Sequence, residues 1–220
     1  KNKKDTSKKA EILQEAFQVI PTEKKIEKVD VQLQLEHKII ELLLLYGNVE
    51  EDFEELILEA DEKGEIVIRP EIHNSRVYEK IYLDLQEDEI EFTNPEFKKI
   101  YFEVVNRYNL NPDAKAETFI NELDPEMASA VTHILMEEER YSLSNWERME
   151  IYVKEKDQTI AQMVSETILN LRRHLVSQKI NELSESMKEG NATENETGLQ
   201  EIVDYISLKK VLSNKLNRVL

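Results

Sequence analysis

From Asp157 to Glu189 the chain runs without a proline, and Ile160, Val164, Ile168, Leu171, Leu175, Ile180, Leu183 and Met187 recur at steps of three to five residues. That spacing keeps one apolar stripe on a single helical face. At 1.5 Å per residue the helix would be about 50 Å long, more than the width of a compact domain of this size, so part of it must project. The stretch Gly190 to Gly198, GNATENETG, is rich in helix-ending and capping residues and reads as a reversal. Beyond it Leu199, Ile202, Val203, Ile206, Leu212, Leu216 and Val219 form a second stripe. Two antiparallel arms joined by a short loop are the expected outcome, an αα-hairpin.

The last sixteen residues hold Lys209, Lys210, Lys215 and Arg218 and no acid, on a chain of formal charge -17. A cationic end on an anionic body is suited to docking. The same acidity, 46 acids against 29 bases, opposes broad binding of phosphate backbones. Residues 1–29 read as a basic linker with a short helix over Ala10 to Ile20, and an opening lysine with such a start is expected of a fragment.

Four glycines and five prolines among 220 residues, with 40% hydrophobic content, predict an all-α fold with a genuine core. The absence of cysteine excludes disulfides and thiolate zinc sites and fits a reducing compartment. Ile39 to Tyr46, the most apolar run, is too short to cross a bilayer, and no export signal is present. A cytoplasmic location is therefore expected.

Asp30 caps a helix whose Leu33, Leu35, Ile39, Ile40, Leu42, Leu43, Leu44 and Leu45 wrap most of its circumference, which places it at the centre of a bundle. Tyr46-Gly47-Asn48 ends it. Phe53, Leu56, Ile57 and Ala60 predict a second helix with an anionic outer face, ending at Gly64. Glu65 to Arg69 reads either as a short extended piece or as a loop, and Val77, Ile81, Tyr82 and Leu85 resume helical spacing. Asn94-Pro95, Asn111-Pro112 and Asp124-Pro125 each pair an oxygen-bearing cap with proline at the first helical position. They predict helices over Pro95 to Tyr108, Pro112 to Leu123 and Pro125 to about Glu139. Ser144 with Glu147 reads as a capping box, and Trp146, Met149, Ile151 and Tyr152 lead toward the long arm.

Chemistry is sparse. His133 and Glu137, one helical turn apart beside Glu138, have a spacing that can hold a metal, which makes a metal-dependent hydrolase the enzymatic alternative. Among so many helical acids such a pair arises readily by chance. His37, His73 and His174 stand singly, and no triad or glycine-rich phosphate loop can be assembled. Runs such as Glu50-Glu51-Asp52 read as solvated faces.

The order of several segments resembles the C-terminal region of bacterial DNA primase, DnaG, particularly its Bacteroidetes-like versions. The segments are LEHKIIELLLLYGN from Leu35, QEDEIEFTNPEFKKIYFEV from Gln86, YSLSNWERMEIYV from Tyr141 and KLNRVL from Lys215. The resemblance covers roughly residues 30 to 220 and implies a helical bundle followed by a hairpin that binds the N-terminal domain of the replicative helicase, DnaB. It also implies a bacterial protein acting at the replication fork. The parent enzyme's zinc-binding and magnesium-dependent catalytic domains, which need cysteines and paired aspartates, have no counterpart in these residues, so no cofactor is expected of this chain.

The expected architecture is a helical bundle over residues 30–156, then a long connecting helix and C-terminal helical hairpin over residues 157–220. The expected role is non-catalytic recruitment of primer synthesis through Leu199, Ile202, Tyr205, Ile206, Lys209, Lys210, Leu212, Lys215, Leu216, Arg218, Val219 and Leu220. The spacing leaves open which of these pack on the first arm and which face a partner. A homo-oligomerisation or adaptor domain is the alternative.

Overall fold

A computed structural model describes residues 30–60, 66–140, 159–189 and 192–216. The expected short helix over Ala10 to Ile20, the capping box at Ser144 and the segment around Trp146 fall outside the described residues, as do Arg218, Val219 and Leu220. The described chain is mostly helical, with seven helices and one two-stranded sheet.

Helix α1, Val31–Tyr46, begins where the Asp30 carboxylate accepts a hydrogen bond from the Leu33 N–H at 3.0 Å. It is the centre of the body. Ile39, Ile40, Leu42, Leu43 and Leu44 are all buried, as a helix surrounded on most sides requires. Gly47 ends it with ordinary helical dihedrals and is needed for space: a Cβ there would lie 2.4 Å from both the Leu43 carbonyl oxygen and the Tyr108 ring.

The chain then departs from the helical expectation. Strand β1, Glu50–Ala60, pairs antiparallel with β2, Ile66–Arg76, in a register running from Glu50 opposite Arg76 to Ala60 opposite Ile66. Burial in β1 follows a period of two: Glu51, Phe53 and Glu55 are more covered than Glu50, Asp52 and Glu54, and Phe53 is fully buried. The apolar spacing from Phe53 to Ala60 also fits a helix, and pairing with the β-branched run Ile66-Val67-Ile68 decides for the strand. The extended piece expected near Glu65 to Arg69 is longer than the residues indicated. It passes through Pro70, which a two-stranded ribbon accommodates because each strand keeps an edge.

Helix α2, Val77–Glu87, starts where Val77 and Tyr78 N–H groups donate to the Val49 and Gly47 carbonyls, both at 3.0 Å. Helix α3, Pro95–Leu110, has the expected Asn94 cap, whose side chain accepts from the Glu96 and Phe97 N–H groups. The buried Glu36 of α1 accepts from Thr93 N–H at 2.9 Å, Thr93 Oγ1 at 2.8 Å and Asn94 N–H at 3.1 Å. A carboxylate among the orphan donors of a helix start is favourable, and it ties α1 to α3.

The helix expected over Pro112 to Leu123 is much shorter. Asn111 closes α3, its N–H bonding the Arg107 carbonyl, and Ala114 N–H returns to Asn111, so Asn111-Pro112 marks a turn. Helix α4 covers only Ala116–Phe119 and passes into a 3-10 turn, Ile120–Glu122. Helix α5, Pro125–Arg140, begins with the Asp124 side chain accepting from Met127 N–H at 3.0 Å, as its sequence signal predicts.

Helix α6, Ile160–Glu189, is about 45 Å long at 1.5 Å per residue. Its first half is core: Ile160, Val164, Ile168 and Leu171 are buried against α1, α2 and β1. Beyond Leu171 no described α6 residue is fully buried, and Leu175, Ile180, Leu183 and Met187 are half-covered. Leu175 still packs on the core, so the helix begins to leave the body about one turn beyond Leu171. Helix α7, Ala192–Lys215, packs back along α6. The reversal is shorter than composition indicated: helix resumes at Ala192, and Gly198 lies inside it, where a Cβ would meet Met187 Cγ and Sδ at 3.4 Å.

Candidate protein-binding surface

A helix that folds back along another covers one face, and the structure sorts the α7 residues accordingly. Leu212 and Ser213 are buried, while Ile202, Tyr205, Lys209 and Leu216 are half-buried beside them. These are the packing residues. Leu199, Val203 and Ile206 stay 53%, 54% and 51% exposed, at steps of four and three that continue to the exposed Lys210. Such spacing draws a line about 16 Å long on the helix surface. This row of half-exposed aliphatics ending in a cation is the candidate surface.

Of the residues read as partner-facing, Leu199, Ile206 and Lys210 thus lie together on the outer face, and Lys215 is exposed at the other end of the helix. Ile202, Tyr205, Lys209, Leu212 and Leu216 turn toward α6. Val203 belongs to the outer row although its part was not separated from the rest of the stripe; the steps from Leu199 to Val203 to Ile206 carried the signal. Leu208 and Val211, 44% and 53% exposed, form a second apolar strip on another side of α7.

A cleft of about 1100 Å³ opens between β1, α2, α6 and α7. Ile168, Leu169, Leu175, Val176, Leu208 and Leu212 supply its apolar wall. Its polar wall is an ion network at the base of the arm. Lys80 Nζ lies 2.7 Å from Glu55 Oε1 and 3.0 Å from Asp84 Oδ2, and Arg172 reaches Asp84 at 3.2 Å and also donates to Asp88. Asp84 is buried and receives both cations, which is how a carboxylate survives away from water. The hydrogen bond and charge of Lys80 hold the Glu55 carboxyl below its ordinary range. Partial burial, with Arg172 and Lys80 as like-charged neighbours, pulls the Lys215 ammonium below the usual lysine range. Lys215 lines this cleft.

The network was not read from the sequence. Arg172 sits in the run Leu171-Arg172-Arg173-His174 beside the packing stripe, and its partners come from an element 84 residues earlier. A charge flanking a core position was the available signal.

His133 is exposed on α5, and the side chain of Glu137 falls outside those described. Among the described residues no group of three or more His, Asp or Glu side chains is placed to hold a metal ion. His37 packs edge-on against the Phe97 ring with centroids 5.6 Å apart. Among the described residues no helix is long and apolar enough to cross a membrane.

No curated protein and no solved structure matches the chain. One family model, described as Domain of unknown function (DUF8430), matches residues 4–219, nearly the whole sequence, and the chain belongs to that family.

Proposed function

We propose that this chain is a non-catalytic docking module, the C-terminal part of a bacterial DNA primase that binds the N-terminal domain of the replicative helicase and brings primer synthesis to the replication fork. The observation that carries the reading is the outer face of α7: Leu199, Val203 and Ile206 held half-exposed on a helical hairpin that leaves the body beyond Leu171. An amphipathic helix presented this way fits a partner's apolar groove through anchors at i, i+4 and i+7. Lys210 beside the row adds salt-dependent attraction to an acidic rim, which acts on association rate more than on final affinity. The order of sequence segments supports primase.

Titrating the helicase N-terminal domain with the chain, and with a chain lacking residues 199–220, tests the reading. Binding in the first case and none in the second is expected. Equal affinity would remove the proposal. The same outer row could instead pair two copies of this chain, and sedimentation distinguishes that alternative, since a monomer at tens of micromolar leaves the row for another protein.

A further inference from the structure

We infer that the cleft between β1, α2, α6 and α7 is a second protein-binding site, one that takes a basic amphipathic helix from a partner. It is independent of the outer face of α7, from which it differs in both position and charge.

Size argues for a peptide. A helix about 10 Å across occupies roughly 400 Å³ per 5.4 Å turn, so 1100 Å³ accommodates between two and three turns. A further hollow of about 420 Å³ opens on the other side of Glu55, Lys80, Asp84 and Glu87, with the exposed Leu83 in its wall.

Its chemistry is divided between two walls. On α6 and α7 the lining is aliphatic, including Leu208, which is 44% exposed. Glu54, Glu55, Asp84, Glu87 and Asp88 line the cleft against Lys80, Arg172 and Lys215, so carboxylates outnumber cations by two. Glu55, Asp84 and Asp88 are matched by Lys80 and Arg172. Glu54 and Glu87 lie exposed at the rim without an ion pair or hydrogen bond to a described residue, and Lys215 across the cleft feels the charge of Glu54. An occupant with leucine-like side chains on one face and lysine or arginine on the other meets both walls at once. An acidic helix would bring its charge to Glu54 and Glu87, and like charges there oppose it.

The test uses the full chain and two fluorescent fourteen-residue helical peptides that share leucines at i, i+3, i+7 and i+10, one with lysine and one with glutamate at the remaining solvent positions. The lysine peptide should bind, weakening as salt rises, and the glutamate peptide should bind at least tenfold more weakly. Glu54→Lys with Glu87→Lys should weaken the lysine peptide at least tenfold, and Leu208→Ser at least threefold, with thermal midpoints confirming that both variants fold. Because a chain of charge -17 attracts cations anywhere, Glu185→Lys with Glu201→Lys, two exposed acids outside the cleft, serves as the control and should change binding less than twofold. Equal loss from the control pair, no loss from the cleft pair, or comparable binding of both peptides would overturn the inference. Val203→Ser with Ile206→Ser should leave peptide binding intact, so that failure here and failure of helicase binding are separate results.

Discussion

Gly198→Ala should make this protein more stable. Glycine in a helix interior is less favourable than alanine by about 1 kcal/mol, because its backbone loses more freedom on ordering. Gly198 is the seventh residue of the α7 helix, Ala192–Lys215, and its φ is not in the left-handed region. The added methyl would meet Met187 at 3.4 Å, an ordinary contact that asks nothing of its neighbour. The expected gain is therefore close to 1 kcal/mol, or about 2–4 °C in thermal midpoint for a chain of this length. Urea unfolding followed by far-ultraviolet circular dichroism measures it. If Gly198 instead ended a loop in the left-handed conformation, as the composition of residues 190–198 implies, alanine would cost about 1–2 kcal/mol. A loss of that size would refute the helical assignment of this segment. Gly47→Ala is the opposing control: its methyl collides with a backbone oxygen and the Tyr108 ring at 2.4 Å, so destabilisation of about 1–3 kcal/mol is expected.

Two further substitutions probe the body. Glu36→Ala strands the Thr93 and Asn94 N–H donors and should cost about 3 kcal/mol in urea unfolding, with Glu36→Gln costing less because an amide oxygen still accepts; a change under about 0.5 kcal/mol would contradict the tie between α1 and α3. Glu55 bears a pH signature. Its folded pKa lies below the ordinary 4.5, so its pairing with Lys80 stabilises fully above that value, and the stabilisation is lost as pH falls through the lower folded value. Glu55→Gln should be less stable than the parent at pH 7, by no more than about 1 kcal/mol given the partial exposure of the pair, and the difference should close below pH 4.5. A constant gap across that range would dissociate Glu55 from the network.

The helices legible in the sequence are those in which capping and apolar period agree. Asp30, Asn94 and Asp124 each cap the helix that follows. The long stripe from Ile160 also appears as one helix whose buried part stops at Leu171. Where the residues misdirect, a non-local partner or a neighbouring helix decides. Glu50 to Ala60 carries six acids and a helix-compatible spacing, and only the strand sixteen residues downstream makes it a ribbon. Asn111-Pro112 has the same letters as Asn94-Pro95, yet Asn111 is taken up in ending α3. Gly198 has a breaker's identity in a helix that α6 supports along its length. The outer row of α7 was partly legible, because its stripe was visible while its division into inward and outward residues required the direction from which α6 packs. The ion network and the cleft were not legible, since Lys80, Asp84 and Arg172 meet only through tertiary structure.

Binding of the replicative helicase by the outer face of α7 is the proposal on which the rest depends. Removing residues 199–220 would also uncover α6, so point substitutions are the cleaner probe. Isothermal titration of the helicase N-terminal domain into the parent chain and into Val203→Asp with Ile206→Asp measures it directly. Both positions are exposed, so stability should stay within about 0.5 kcal/mol of the parent. The account predicts that the parent binds and that the variant, equally folded, loses at least tenfold in affinity; a folded variant that binds as tightly as the parent would contradict it.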